Sequence, residues 1–195
     1  MSPLTSGISY ETGASTIARQ YHVPICRLYD AAFSVSPFAW RAGDSEEHSS
    51  VLTQIRQDET FGITVATVEG ILVGFAYGHQ LPVDHGWWND FQHPLATEVT
   101  TEWPARTFAL IDLAVAGQWR TKGIGKGILH RLLTTRKEER AVLSVQPTAV
   151  ETQHIYQHLG WQKIGSKGPI AGINPPYWDI FVTTLGRFVP AIHDG

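Results

Sequence analysis

The segment that most constrains the fold is residues 108–133, FALIDLAVAGQWRTKGIGKGILHRLL. It begins as an apolar strand, passes through a loop rich in glycine and cations, and continues as an amphipathic helix. The glycines of the loop are Gly123, Gly125 and Gly127, and its cations are Arg120, Lys122 and Lys126. Glycine lets a ligand approach the backbone closely, and the free N–H groups at the start of a helix attract anions. The segment therefore predicts a phosphate-binding loop.

The spacing of the glycines distinguishes between known phosphate-binding loops. A P-loop requires Ser or Thr after its lysine, whereas Gly127 follows Lys126 here. A dinucleotide-binding loop requires GxGxxG and an acidic residue at the end of the next strand. The glycines here have the spacing GxGxG, and the next strand ends in Ser-Val-Gln-Pro. The remaining pattern, Arg-x-x-Gly-x-Gly, is present at residues 120–125.

This loop resembles the pyrophosphate-binding loop of the GCN5-related N-acetyltransferases (GNAT), a superfamily that uses acyl-CoA; the alternative is a glycine-rich turn with unrelated cations. The resemblance implies that acetyl-CoA binds here and leaves as CoA. It also implies that the strand before the loop separates from its neighbour and exposes backbone groups to the pantetheine arm. The implied cofactor-binding residues are Leu113, Ala114, Val115, Arg120, Thr121, Lys122, Gly123, Ile124, Gly125, Lys126 and Gly127. The 3′-phosphate is expected to contact Arg131, Arg136 or Lys137, and the sequence does not decide between them.

Composition predicts one globular domain, because 195 residues with 43% hydrophobic and 17% charged side chains suit a single core. A net charge of -3 gives no field for nucleic acid. One cysteine, Cys26, suits a reducing compartment, and no signal peptide or membrane-spanning run is visible. We therefore expect a cytoplasmic protein without membrane contact. The histidines and carboxylates lack the spacing of a metal site, so no metal is predicted.

The pattern along the chain predicts a mixed α/β fold. Residues 1–13 are predicted as a loose lead-in. Strands are predicted at 16–21, 61–68, 71–79, 108–115, 141–145, 161–166 and 177–185, and helices at 23–33, 48–59, 124–133 and 148–159. This order also resembles the GNAT fold, a mixed central sheet flanked by helices, so residues 1–195 are interpreted as one acetyltransferase domain. The long segment 81–106 is an insertion near the acceptor side.

Two residues are candidates for catalysis. Tyr156 lies in TAVETQHIYQHLGW, which resembles the second conserved helix of the family, and the resemblance implies that it protonates the leaving thiolate. Alternatively, its ring packs against Trp161. The Asn that often opens this helix is replaced by Ala149. Its cofactor contact must then come from water, Thr148 or Gln153, or be absent.

Asp112 is the only ionisable residue in FALIDLAV, and a carboxylate in an apolar strand is costly unless it is paired. It is either a general base with a raised pKa or a structural ion-pair partner. His79, Asp84 and His85 are further candidates for the base.

The aromatic side chains of the 81–106 segment predict an acceptor pocket. We expect Trp87, Trp88 and Phe91 on one wall and Phe33 and Trp40 on the other; alternatively, the rings of the segment cover a sheet edge or form a homodimer contact. The predicted function is transfer of an acetyl group to the primary amine of a small molecule by direct attack on the thioester. A protein or peptide N-acetyltransferase, or a CoA-binding module without turnover, are the alternatives.

Overall fold

The computed structural model describes residues 7–188, which form a seven-stranded sheet with helices on both faces. The strands are β1 (Ile8–Gly13), β2 (Gly62–Val68), β3 (Ile71–Gln80), β4 (Thr107–Val115), β5 (Arg140–Val145), β6 (Gln162–Lys167) and β7 (Trp178–Thr184). They lie in the order β1-β2-β3-β4-β5-β7-β6. Neighbours are antiparallel except β4 and β5, which run parallel. The predicted mixed sheet flanked by helices is confirmed.

The helices are α1 (Ser15–Gln20), α2 (His22–Phe33), α3 (Asp44–Ile55), α4 (Thr97–Thr100), α5 (Ile124–Thr134) and α6 (Val150–His158). Helices α1, α2 and α3 pack on one face of the sheet, where Ile25, Leu52 and Phe75 are fully buried. Helix α5 packs on the opposite face through Ile128 and Leu132. None of the helices within residues 7–188 is long and apolar enough to cross a membrane.

The feature of the sheet that matters most for function is the divergence of β4 from β5. Their pairing consists of Thr107 with Arg140, Phe108 with Ala141, and Ala109 with Val142. Beyond Ala109, β4 continues to Val115 beside β3, and β5 continues to Val145 beside β7. The two parallel strands therefore open a gap at their carboxyl ends, as the resemblance implied.

The sequence predicted the central elements well. The hairpin of β2 and β3 turns at Glu69 and Gly70, whose φ angles of 50° and 77° fit the mirror-image turn preferred between twisted strands. The α2 helix agrees closely with the predicted 23–33, whereas α3 begins and ends about four residues earlier than predicted. Gly160, with φ 85°, follows the end of α6.

The N-terminal predictions were wrong. Part of the expected lead-in, Ile8–Gly13, is an edge strand paired with β2, and residues 1–6 lie outside the described part. The strand expected at 16–21 is helix α1. Its β-branched residues favour a strand, but Ile17 and Ala18 are buried against the core from one turn of helix. Packing outweighs intrinsic propensity in so short an element.

Candidate active site

A cleft of about 810 Å³ lies where β4 and β5 diverge. One side is formed by α2, the α2–α3 loop (residues 34–43) and the start of α3. The other side is formed by α6, the loop before α5 and the β6–β7 loop. The floor is the second half of β4, residues 110–115, together with residues 143–146 at the end of β5. Backbone groups, titratable side chains that include Asp112 and Tyr156, and several aromatic rings therefore face one space.

The glycine loop lies at one end of this cleft. Thr121 and Gly123 have φ angles of 62° and 77°, and Gly123 caps α5 without any side-chain hydrogen bond. The N–H of Gly127 is bonded to the carbonyl of Gly123 at 2.9 Å, so the amides before it have no acceptor within the helix. The positive end of the helix dipole adds to the charge of Arg120 and Lys126, which line the cleft. This arrangement fits a pyrophosphate.

Two glycines of the loop differ in their surroundings. A Cβ at Gly125 would lie 3.6 Å from Val115 Cγ2 and 3.8 Å from Leu113 Cδ2, which are ordinary contacts, so the fold itself tolerates a small side chain there. Any larger side chain would enter the cleft between the loop and β4. A Cβ at Gly127, by contrast, would lie 2.6 Å from the hydroxyl of Tyr10. Gly127 therefore allows α5 to pack against β1, and it does not line the cleft.

Asp112 lies on β4 near the middle of the cleft, directly opposite Tyr77 on β3. The Tyr77 hydroxyl donates a short hydrogen bond to Oδ2 of Asp112. The same hydroxyl lies 3.0 Å from Nε2 of His48 on α3, and His48 Nε2 lies 3.6 Å from Asp112 Oδ2. Tyr77 is fully buried, whereas the Asp112 side chain is 17% exposed and faces the cleft.

Burial determines the titration of this group. It raises the pKa of Asp112 to about 6, against the opposing effect of the hydrogen bond from Tyr77. Burial and the nearby His22 lower the pKa of His48 to about 4, so His48 is neutral at physiological pH. Burial and the charge of Asp112 raise the pKa of Tyr77 well above its usual range. Asp112 is thus ionised at pH 7 and can accept a proton.

Tyr156 lies on α6 and lines the same cleft. Its ring packs edge-on against Trp161, with centroids 5.7 Å apart, so the packing contact exists alongside the position in the cleft. Burial, followed by the charge of Asp112, raises the pKa of the Tyr156 hydroxyl. The hydroxyl therefore stays protonated until a strongly basic group forms beside it.

The α2–α3 loop forms part of one side of the cleft. Phe33, Phe38 and Trp40 line it, and Phe33 and Phe38 contact at 4.8 Å between centroids. The loop is connected to the β5–α6 side by two hydrogen bonds, from Ala39 N–H to Gln146 Oε1 and from Thr148 Oγ1 to the Pro37 carbonyl, each 2.9 Å. The loop therefore connects the α2 side of the cleft with the β5–α6 side.

Comparison of the sequence with models of known protein families identifies the family of this chain. Residues 25–161 match the model of the acetyltransferase (GNAT) family, a range that includes most of α2 and all of β4, the glycine loop, α5 and α6. The chain belongs to the GNAT family. No curated protein matched the sequence.

Solved GNAT structures share the fold. They include a GNAT family acetyltransferase from Elizabethkingia anophelis with acetyl-CoA bound, with 13% identity, a TM-score of 0.59, and coverage of 92% of this chain and 99% of that one. The ribosomal-protein-S18-alanine N-acetyltransferase from Escherichia coli has 14% identity and a TM-score of 0.60, and 96% of this chain and 98% of that chain are covered. Ard1 from Thermoplasma volcanium has 13% identity, a TM-score of 0.59 and coverage of 91% and 97%. At these identities the likeness shows the fold.

The structure brings most of the sequence-predicted cofactor residues of this GNAT domain together. Those lining the cleft are Leu113, Ala114, Val115, Arg120, Thr121, Gly123, Ile124, Gly125 and Lys126. Lys122 instead lies over the Trp119 ring at 4.3 Å. Neither Arg131 nor Arg136 lines the cleft. Arg131 lies over the Tyr10 ring at 3.9 Å, and Arg136 is paired with Glu138 at 2.5 Å.

Thr148 and Gln153 were the residues expected to replace the missing Asn of α6, and both are engaged elsewhere. Thr148 holds the α2–α3 loop, and Gln153 Nε2 lies 3.2 Å from the carbonyl of Pro147. Ala149 is fully buried. This end of α6 therefore contributes to loop structure.

The placement of Trp87, Trp88 and Phe91 in an acceptor pocket was wrong. These rings do not line the cleft; they pack on the sheet against Leu81, Ala109, Val142 and Ile180. Helices α2 and α3 leave this part of the sheet uncovered, and the aromatic segment removes its apolar surface from water. The alternative, that the rings cover the sheet, is the one observed.

Buried polar contacts hold the 81–106 segment in this position. Glu102 Oε1 accepts hydrogen bonds from Trp88 Nε1 at 2.9 Å, from Thr107 Oγ1 at 2.8 Å and from the Arg140 guanidinium at 2.7 Å. Lys167 Nζ donates to the carbonyl of Trp87 at 2.6 Å. The segment is therefore a fixed cover of the sheet.

The alternative bases also lie elsewhere: His79, Asp84 and His85 are not among the residues lining the cleft, and His79 Nδ1 is 3.6 Å from Asp58. No group of three potential metal ligands is assembled within residues 7–188.

Sequence reasoning missed several residues of the cleft, namely Tyr29, His48, Gln146, Ile173, Asn174 and Trp178. It also missed Tyr77, which does not line the cleft but donates a hydrogen bond to Asp112. Only Tyr77 had a partial signal, because the strand pattern places it on β3 but does not give the register of β3 against β4. It is an inward-facing residue of the β2–β3 hairpin, and pairing β3 with β4 in the observed register places it opposite Asp112. The remaining residues come from helices, loops and the first residue of β7, whose relative positions the sequence does not specify.

Proposed function

We propose that this protein transfers an acetyl group from acetyl-CoA to the primary amine of a small molecule by direct attack on the thioester. The observation that carries the proposal is the opening of β4 from β5 onto one cleft that contains the glycine loop, Asp112 and Tyr156. Membership of the GNAT family supports acetyl transfer as the reaction type.

Acetyl-CoA fits the glycine-loop end of the cleft. The pyrophosphate would be held by the free amides at the start of α5, with Arg120 and Lys126 adding charge. The pantetheine arm would lie along β4, where Leu113 and the N–H of Val115 offer backbone groups on the side that no longer pairs with β5. The Val115 carbonyl accepts a hydrogen bond from Arg120 Nε at 3.1 Å. In this proposed arrangement the thioester would lie near Asp112.

In the proposed reaction the amine nitrogen attacks the carbonyl carbon of the thioester, and the carbon–sulfur bond breaks. Asp112 accepts the proton that the amine loses, directly or through water, and Tyr156 donates a proton to the departing thiolate. An alkyl amine with a pKa near 10.4 must lose a proton first, at a cost of about 5 kcal/mol at pH 7. An ionised carboxylate at the site reduces that cost.

The α2–α3 loop supports a small acceptor over a protein. Its two hydrogen bonds to the β5–α6 side join the two sides of the cleft, which restricts the space for a polypeptide. Rings of Tyr29, Phe33 and Trp40 line the remaining space and favour a flat or cationic acceptor through stacking and cation–π contacts.

A screen with radiolabelled acetyl-CoA tests the proposal. The protein is incubated with a library of small amines, and separately with peptides that have free N-termini or lysines. We expect transfer to small amines that carry a ring, and loss of transfer in Asp112→Asn. Transfer to peptides alone would overturn the small-molecule assignment, and binding of acetyl-CoA without any transfer would indicate a module without turnover.

A further inference from the structure

The polar contacts of Asp112 form a chain that has a definite direction. An ionised carboxylate can only accept hydrogen bonds, so the Tyr77 hydroxyl must donate its proton to Oδ2 of Asp112. The Tyr77 oxygen then accepts from its other neighbour, His48 Nε2, at 3.0 Å. This assigns the proton of neutral His48 to Nε2. The order is His48 to Tyr77 to Asp112.

We propose that Tyr77 and His48 are positioning residues that keep the Asp112 carboxylate ionised and aimed into the cleft; this rests on the proposed role of Asp112 as the base. Tyr77 contacts the carboxylate directly, and His48 acts through Tyr77. Each is fixed by packing on the face opposite α5: Tyr77 stacks on Phe75 with centroids 5.8 Å apart, and His48 stacks on Tyr29 at 3.6 Å.

The geometry separates this role from that of a proton exit. Nδ1 of His48 is buried and has no hydrogen-bond partner among the residues that the structure describes. A proton passed from Asp112 through Tyr77 to His48 would therefore stop at a side chain that is only 2% exposed. Asp112 itself faces the cleft, so a proton taken from the acceptor leaves on that side. The chain orients the carboxylate instead of conducting its proton away.

The other groups near Asp112 do not replace this chain. Burial, followed by the charge of Asp112, raises the pKa of the Tyr29 hydroxyl on α2 and of the Tyr156 hydroxyl on α6. Both hydroxyls are therefore neutral. The acidic side chains at the start of α3, Asp44 and Glu47, are paired with Arg41 at 2.9 and 3.2 Å. The hydrogen bond from Tyr77 is thus the main interaction that favours the ionised form of Asp112.

Titration of Asp112 tests the inference without an acceptor. Carboxyl-labelled aspartate is followed by carbon NMR, and the Asp112 signal is identified by its loss in Asp112→Asn. Because a hydrogen bond to the charged form is lost, Tyr77→Phe is expected to raise the Asp112 midpoint by about 1 pH unit or more. His48→Leu is expected to raise it by only a few tenths of a unit, roughly, since it acts through one intervening bond.

The double variant gives the sharper result. Once Tyr77 is Phe, His48→Leu should change the midpoint by less than it does in the wild type, because the hydrogen-bonded route is gone and only the direct 3.6 Å separation of His48 Nε2 from Asp112 Oδ2 remains. Thr64→Val is the matched control: it removes a buried strand hydroxyl, bonded to Thr12 at 2.8 Å outside the cleft, and should leave the midpoint unchanged. An unchanged midpoint in Tyr77→Phe, or additive effects in the double variant, would overturn the inference.

Failure of the proposed function would be seen separately. With an amine found in the screen, the acid limb of the kcat/KM profile should move with the NMR midpoint in Tyr77→Phe. If Asp112→Asn keeps wild-type activity, Asp112 is not the base and the proposed mechanism fails. If Asp112→Asn is inactive but Tyr77→Phe leaves both the limb and the midpoint unchanged, only the present inference fails.

Discussion

Replacing Asp112 by asparagine is expected to stabilise the fold at neutral pH while it reduces acetyl transfer. Burial raises the pKa of Asp112 from 3.8 to about 6, so the folded state binds its proton more tightly than the unfolded chain does. The stability from this group is fully present below pH 3.8 and is lost as the pH rises through about 6. A difference of roughly two units corresponds to about 3 kcal/mol.

Asparagine keeps an oxygen that can accept the Tyr77 hydrogen bond but has no charge to desolvate. In urea unfolding at pH 8, Asp112→Asn is therefore expected to exceed the wild type by up to about 3 kcal/mol in free energy of unfolding. At pH 5 the difference should fall to roughly half of that. The lowered pKa of His48, about 4, gives stability above pH 6.5 that is lost as the pH falls through about 4. Both proteins share it, so it cancels in the difference.

Asp58→Asn is a control for which the expected change in stability has the opposite sign. Burial raises its pKa, but hydrogen bonds from Thr60 and the positive charge of His79 outweigh this, and the net pKa is lowered. Asp58→Asn should therefore be less stable than the wild type at pH 7, and the deficit should shrink as the pH falls through the lowered pKa. The reasoning on Asp112 is refuted if Asp112→Asn is less stable than the wild type at pH 8, or if the difference is the same at pH 5.

Three further experiments probe the cleft and its surroundings. Gly125→Glu should keep its fold but abolish CoA binding, as measured by calorimetry. Gly125→Ala should still bind CoA, because its Cβ would only touch Val115 at 3.6 Å. Tight CoA binding by Gly125→Glu would contradict the assignment of the glycine loop as the pyrophosphate site. Tyr156→Phe should lower kcat by about 10²–10⁴-fold while CoA affinity is retained. If kcat falls by less than about threefold, Tyr156 is a packing residue and not the general acid. Trp88→Ala should lower stability by about 2 kcal/mol without changing acceptor KM, whereas Trp40→Ala should raise that KM; the reverse pattern would return Trp88 to the pocket.

The central strand–loop–helix unit was predictable because its information is local. An apolar strand, glycines at fixed spacing and an amphipathic helix occur within 26 consecutive residues, 108–133. The backbone of that unit determines where a phosphate can bind, whichever elements surround it. Asp112 stood out for a similar reason, since one carboxylate in an apolar strand needs a partner.

The partner itself was not predictable, because it depends on register. Tyr77 pairs with Asp112 in the register that joins residues 74–77 to 112–115, and a bulge between Tyr77 and Gly78 shifts the rest of the β3–β4 pairing by one residue. A register shift of one residue would turn Tyr77 to the other face. His48 depends in turn on how α3 packs over that strand.

The position of the 81–106 segment was also not predictable from the sequence. Its aromatic content correctly excluded a disordered linker, but it did not say which surface the rings cover. That surface is set by distant residues, chiefly Arg140 on β5 and Lys167 on β6, which bond to Glu102 and Trp87. Side chains far apart in sequence decide the position of a segment that has no period of its own.

Amide NMR during titration with acetyl-CoA tests the central claim most directly, because it reports where the ligand binds. We expect the largest shifts, and slowed hydrogen exchange, at the amides of residues 113–115 on β4 and 123–126 at the start of α5. Amides of β1 and of the 81–106 segment should change little. Saturable binding of acetyl-CoA with no change at residues 113–115 and 123–126 would contradict the account.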